Sequence, residues 1–271
     1  MKRSPEELAQ TERLEQSYKN RQSEVMLSIE RQVCGCDYGG NSWTTRVEAQ
    51  EIETLLGLKP GLRFLDLGAG SGWPGLYLAK SSGCDLTLVD LPMSGLKIAA
   101  ERALSDQMTC ACWITRANAT NLPFKDGCFD AISHSDLLCC LKQKRAVLES
   151  CNRVLCKGGR MVFTVISMPA NLSRAERENT LETAPEFVES EIDYLTMLEQ
   201  SGWSVIDNQD ISASYAASCH RQVKAMKENK GDYIAISGAC DYDDRLTRYA
   251  SKFVALEDGR LRRELFVAET T

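Results

Sequence analysis

The spacing of apolar residues changes once along the chain. From Leu14 to Val33 they recur at steps of four and seven, which predicts an amphipathic helix that ends near Gly35. A second helical stripe precedes Gly57. From Leu62 onward, short apolar runs alternate with helical stripes. This alternation predicts a mostly parallel sheet with helices on both faces.

The same pattern suggests how the chain is organised. We expect residues 1–44 to form a helical cap segment and residues 45–271 to form one α/β domain. A charged, irregular stretch around residues 167–190 is interpreted as an insertion on the acceptor side. The predicted strands are Leu62–Leu67, Leu86–Val89, Cys112–Ile114, Phe129–Ile132 and Met161–Ile166.

Composition narrows the possible partners. The 271 residues are 43% apolar and 26% charged, with a formal net charge of −6, so long-range electrostatics disfavour nucleic acid as a partner. No apolar run reaches the ~20 residues of a membrane span, and the first residues lack the apolar core of a signal peptide. The twelve cysteines show no zinc-site spacing, which predicts free thiols, no bound metal and a cytoplasmic location.

The segment Asp66–Gly72, with the sequence DLGAGSG, follows a predicted strand and precedes a predicted helix. Glycines at the carboxyl end of such a strand let a ligand approach the backbone, and open α/β sheets bind ligands at this edge. Gly70, Gly72 and Gly75 also satisfy the G-x-G-x-x-G dinucleotide pattern. The acid two residues before the loop disfavours a pyrophosphate. Because the glycine pattern still matches, an NAD-dependent oxidoreductase is kept as the alternative.

Asp66–Gly72 resembles the D-x-G-x-G-x-G motif of class I S-adenosylmethionine-dependent methyltransferases, and the order of later segments strengthens the resemblance. It implies a Rossmann-like, seven-stranded, mostly parallel sheet. S-adenosylmethionine would be the cofactor and S-adenosylhomocysteine the product. Asp90 would accept hydrogen bonds from both ribose hydroxyls, and Asn118 would accept one from the adenine amino group. The cofactor-binding residues implied are Trp43, Asp66, Gly68, Gly70, Gly72, Asp90, Leu91, Asn118, Ala119 and Ser133.

The resemblance implies methyl transfer to a nitrogen, oxygen, carbon or sulfur atom of a small-molecule acceptor. His134 follows the fourth predicted strand, and we hypothesise that it deprotonates or orients the acceptor; the alternative is a packed histidine. Trp43, in the cap segment, could shield the cofactor's sulfonium or be a packing residue. The expected function is a small-molecule methyltransferase. Alternatives are the oxidoreductase and a non-catalytic S-adenosylmethionine-binding regulator.

Overall fold

A computed structural model describes residues 3–270, and their centre is one seven-stranded sheet. In chain order its strands are β1 (Arg63–Leu67), β2 (Asp85–Asp90), β3 (Cys112–Arg116), β4 (Phe129–Ser135), β5 (Leu155–Ser167), β6 (Trp203–Asp210) and β7 (Arg262–Thr270). The strand order is β3-β2-β1-β4-β5-β7-β6. The first five strands pair in parallel, and β7 inserts antiparallel between β5 and β6. The predicted Rossmann-like, mostly parallel sheet is confirmed.

Helices cover both faces of this sheet. They are α1 (Pro5–Asn20), α2 (Glu24–Cys34), α3 (Arg46–Leu56), α4 (Gly75–Ser82), α5 (Met93–Ser105), α6 (Lys144–Val154), α7 (Arg174–Leu181), α8 (Tyr194–Gln200), α9 (Ser212–Glu228), α10 (Lys230–Ser237) and α11 (Ala239–Glu257). Successive strand residues enter different apolar cores: Phe64 and Val162 pack into one, Leu65 and Phe163 into the other. Burial on both faces explains the continuous apolar runs in the sequence.

Two local expectations were wrong. The single N-terminal helix is two helices, because the polar residues 20–23 interrupt the apolar stripe and Ser23 begins α2 in an extended conformation. The stretch 167–190 is not wholly irregular, because it contains α7. Ser173 caps that helix by accepting a hydrogen bond from the backbone of Glu176, whose side chain bonds back to Ser173.

Helix α1 is attached to the sheet domain through a helix-capping carboxylate. Glu15 of α1 accepts hydrogen bonds from the backbone nitrogens of Met93 and Ser94, at 2.6 and 2.7 Å, where α5 begins. A carboxylate is favoured there because the first amides of a helix lack partners and carry positive charge. Within residues 3–270, no helix combines the length and apolar character needed to cross a membrane.

Candidate cofactor and acceptor site

A cavity of about 170 Å³ lies where β1, β2, β4 and β5 end, beneath α1 and the loop before α3. This is the edge at which open α/β sheets bind their ligands. Five of the predicted site residues line the cavity: Trp43, Asp66, Gly68, Gly70 and Asp90. The structure thus brings together the central part of the predicted cofactor site, from three separate segments of the chain.

Gly70 shows why the loop needs a glycine. Its φ is +54°, and a Cβ atom there would lie 2.5 Å from the Tyr18 hydroxyl of α1. The loop therefore packs directly under the N-terminal helix, with no room for a side chain. Gly72 does not line the cavity. A Cβ at Gly72 would lie 2.5 Å from Leu76, so this glycine allows close packing of α4.

Asp90 ends β2 and points its carboxylate at the glycine loop. Its Oδ2 accepts a hydrogen bond from the Gly70 nitrogen and its Oδ1 accepts one from the Leu91 nitrogen, both at 2.7 Å. Removal from water raises the pKa of Asp90 to about 6. Each oxygen keeps acceptor capacity, so the carboxylate fits a ligand with two neighbouring hydroxyls, such as a ribose. Leu91 contributes through its backbone and does not line the cavity.

Asp66 lies at the floor of the cavity and is 2% exposed. Its Oδ1 accepts a hydrogen bond from the Ser133 hydroxyl at 3.2 Å, and its Oδ2 accepts one from the Gly75 nitrogen at 3.1 Å. Burial raises the pKa of Asp66 to about 7. Ser133, predicted to contact the cofactor, is instead placed behind Asp66, where it orients that carboxylate.

The predicted adenine contacts lie outside the cavity in this structure. The Asn118 amide oxygen accepts a hydrogen bond from the Thr120 nitrogen at 3.1 Å, and Ala119 is buried in the apolar core. The loop nevertheless starts beside Asp90, because the Ala117 nitrogen donates to the Asp90 carbonyl oxygen at 3.1 Å. Their roles in adenine binding stay predictions.

His134 is not at the cavity. Side chains alternate along β4, so Ser133 and Ser135 face the cavity side while the His134 ring stacks on Phe163, with centroids 4.5 Å apart. The ring is fully buried, neither nitrogen has a hydrogen-bond partner among residues 3–270, and burial lowers the pKa of His134 to about 3. This placement does not support the hypothesis that His134 deprotonates the acceptor.

Sequence reasoning missed an ionic cluster beside the cavity, centred on Arg263 of β7. The fully buried guanidinium donates to Asp136 at 3.0 Å and to Glu48 at 3.1 Å. Thr44 and Thr164 accept its remaining bonds at 3.3 and 3.2 Å. Two carboxylates around one cation leave excess negative charge, and Asp136 lines the cavity.

Lys252 of α11 is the cation that lines this cavity among the described residues. Its ammonium lies 5.6 Å from the centroid of the Trp43 ring, which also packs edge-on against Tyr215 and Tyr249. Trp43 therefore lines the cavity and is held by aromatic packing. Lys252 was missed because no apolar stripe was assigned to α11.

The fold and the site together define a class of protein: an open α/β protein whose glycine loop and strand-end carboxylate suit a ribose-containing ligand, with charged groups beside them. Residues 65–163 match the family described as methyltransferase domain. This match covers the glycine loop, Asp90 and the strands through β5. The matched segment and the fold are those expected of a class I S-adenosylmethionine-dependent methyltransferase, a family whose cofactor is S-adenosylmethionine.

Similar proteins agree with this assignment. The chain is 25% identical to a phosphoethanolamine N-methyltransferase of Triticum aestivum over 80% of its own length and 43% of the relative. Among solved structures it resembles phosphoethanolamine N-methyltransferase 2 of Haemonchus contortus, with 18% identity, a TM-score of 0.77 and coverage of 93% and 58% of the two chains. It also resembles the cyclopropane synthase MmaA2 of Mycobacterium tuberculosis, with 16% identity, a TM-score of 0.74 and coverage of 93% and 98%.

The chain spans less than half the length of the wheat relative. Neither the family match nor these relatives support a dinucleotide oxidoreductase or a non-catalytic regulator. The structural likenesses establish the shared fold, and the chemistry must be argued from the cavity.

Proposed function

We propose that this protein transfers the methyl group of S-adenosylmethionine to the nitrogen of a small amine that also carries an anionic group, as phosphoethanolamine does. The observation that carries the proposal is a pair of opposite charges, Asp136 and Lys252, that line the same cavity as the glycine loop. We call the part of the cavity lined by these two residues the acceptor side. The printed names of the wheat and Haemonchus relatives support the same substrate class.

Asp136 is the group suited to hold the amine. Arg263 pairs with both Asp136 and Glu48, so the buried cluster keeps a net negative charge that attracts a cation. The backbone of Asp136 is fixed as well, because its nitrogen donates to the Thr164 carbonyl oxygen at 2.9 Å. A carboxylate held this firmly can orient an amine at low entropic cost.

Lys252 is suited to the anionic end of the acceptor. Its ammonium can pair with a phosphate or carboxylate, and the Trp43 ring limits where that ammonium can lie. The cofactor supplies an already activated methyl group. The chain's own contribution is therefore to position the amine and exclude water.

We also propose that residues 1–44 act as a cap over the cofactor. Leu14, Tyr18 and Trp43 line the cavity, and the Tyr18 hydroxyl packs against Gly70, which supports this role. A cytoplasmic location is supported by the twelve cysteines, all free thiols. Absence of nucleic-acid binding is supported by the net charge of −6.

The test is methyl uptake from labelled S-adenosylmethionine by three compounds. Phosphoethanolamine has both charged groups, ethanolamine lacks the anion, and glycerol 3-phosphate lacks the amine. We expect transfer to phosphoethanolamine to be preferred over ethanolamine, with none to glycerol 3-phosphate. Lys252→Met should raise the KM for phosphoethanolamine about tenfold, the equivalent of one ion pair of ~1.4 kcal/mol, and leave S-adenosylhomocysteine binding unchanged.

Lys227→Met, on the exposed face of α9, is the matched control and should change neither constant. Cofactor binding without methyl transfer to any amine would contradict the proposal. So would a Lys252→Met enzyme with an unchanged KM for phosphoethanolamine.

A further inference from the structure

A second cavity, of about 500 Å³, lies beside the glycine loop and shares only Trp73 with the lining of the cofactor cavity. We call it the cationic groove. Four cations line it, Arg31, Arg46, Lys80 and Arg102, against two carboxylates, Asp37 and Asp106. Glu24, outside the lining, also pairs with Arg31, so the local charge is +1, in contrast to the −6 of the whole chain.

The ion pairs in the cationic groove leave two of its cations available. Asp37 pairs with Arg31 at 3.2 Å and with Arg102 at 2.9 Å. Arg31 also pairs with Glu24, and Arg102 also pairs with Asp106 at 3.4 Å. Within residues 3–270, neither Arg46 nor Lys80 forms a salt bridge. The unneutralised charge of the groove therefore lies on these two side chains.

Aromatic rings position the guanidinium groups. Arg46 lies over the ring of Tyr77, 5.1 Å from its centroid, and Arg102 lies over Tyr38 at 4.2 Å. Tyr38 and Tyr77 both pack on Trp73, with centroid distances of 5.2 and 5.3 Å. A guanidinium held on an aromatic face loses less freedom when it binds an anion, and its planar donors suit bidentate phosphate contacts.

We propose that the cationic groove is a second ligand site, which binds a phosphate dianion between Arg46 and Lys80. A phosphate group carries close to two negative charges at neutral pH, which matches the two cations that have no carboxylate partner. The biological ligand is a phosphate monoester or inorganic phosphate. This site is separate from the cofactor cavity, and the inference does not depend on the proposed methyl acceptor.

The groove is connected to the cofactor loop through shared residues. Trp73 belongs to that loop, and its indole nitrogen donates to the Thr44 carbonyl oxygen at 2.8 Å. Tyr38 directly precedes Gly39 and Gly40, and a Cβ on Gly40 would lie 3.1 Å from the Ser71 hydroxyl of the loop. Phosphate that stabilises Tyr38 and Trp73 should therefore tighten cofactor binding, and the cofactor should tighten phosphate binding equally.

The test measures binding of inorganic phosphate by calorimetry at constant ionic strength. It uses the full chain carrying Lys252→Met, because this change removes the cation of the cofactor cavity, where phosphate could also bind. We expect phosphate to bind, and Arg46→Gln with Lys80→Gln to weaken its binding about tenfold or more, as expected for lost charge-assisted bonds. The matched control pair, Lys97→Gln with Arg248→Gln, removes two exposed charges elsewhere and should leave phosphate affinity unchanged.

Absence of phosphate binding at millimolar concentration would overturn the proposal, and so would equal affinity in the groove pair and the control pair. Lys80→Glu is the second variant; its side chain is exposed, so the fold is retained, and phosphate binding should be lost. Saturating phosphate should also lower the Kd for S-adenosylhomocysteine about fivefold. An unchanged Kd would overturn the connection between the groove and the cofactor loop.

Discussion

The glycine loop and the Arg263 cluster border the same cavity, but the chain builds them differently. Asp66, near the end of β1, and Gly68 and Gly70, in the turn before α4, belong to one uninterrupted segment of five residues. Arg263, by contrast, bonds to Asp136 and Glu48, which precede it by 127 and 215 positions. The cofactor side is thus a local motif, while the acceptor side exists only once distant strands and helices have come together.

The largest effect should come from breaking the cluster. Arg263→Met would leave two carboxylates buried without their cation, and we expect the free energy of unfolding to fall by about 3–5 kcal/mol. Urea titration measures this change. Arg262→Met, an exposed neighbour on β7, is the control and should cost little. A loss below about 1 kcal/mol would show that the cluster is not the structural centre of the acceptor side.

On the cofactor side, Asp90→Asn tests the local motif. The amide cannot accept on both sides as a carboxylate does, so hydrogen bonds to the loop and to the ribose are lost together. We expect S-adenosylhomocysteine to bind about 100-fold more weakly, the equivalent of ~3 kcal/mol. Calorimetry measures this, and Asp85→Asn at the opposite end of β2 should bind normally. Normal binding by Asp90→Asn would contradict the ribose assignment.

Asp66, on the glycine-loop side of the cavity, should also make the stability of the fold depend on pH. Burial raises the folded pKa of Asp66 to about 7 from a usual 3.8, so the unfolded chain ionises first. The folded state therefore loses stability as pH rises from about 4 to 7. Relative to wild type, Asp66→Asn should gain about 3 kcal/mol across this range. Urea titrations at pH 4.5 and 7.5 measure the difference, and an equal difference at both pH values would contradict it.

The smallest effect on activity is expected at His134. Because the ring packs on Phe163 away from the cavity, His134→Ala should leave turnover at saturating acceptor within about threefold of wild type. The same change should lower the free energy of unfolding by about 2 kcal/mol, because it empties a packed site. A loss of turnover beyond 100-fold in the folded variant would restore His134 as the catalytic base.

Much of the fold could be predicted because short, local stretches of sequence determine it. Five apolar runs predicted β1 to β5, and the glycine turn, together with Asp90 at the end of β2, located one side of the cavity. These features depend on neighbours in the sequence: strand period, turn conformation and the acid at a strand end.

The remainder depends on contacts that spacing does not encode. His134 and Asp136 lie two positions apart, so the pleat alone would place both side chains on the same side of the sheet. The structure separates them because β4 ends at Ser135 and Asp136 adopts a φ of +53°: the His134 ring packs on Phe163, while Asp136 lines the cavity. Lys252 reaches the cavity only because α11 packs beside α9. Which face a residue takes, and which helix covers it, is decided by tertiary packing.

The position of β7 has a consequence for biosynthesis. This last strand lies between β5 and β6 and carries the cation that joins the acceptor side. During translation, β1 to β5 emerge well before β7. A ribosome-bound chain can therefore form the glycine turn before β7 has paired with β5 and β6. Competence to hold a nucleoside should therefore precede competence to hold an amine.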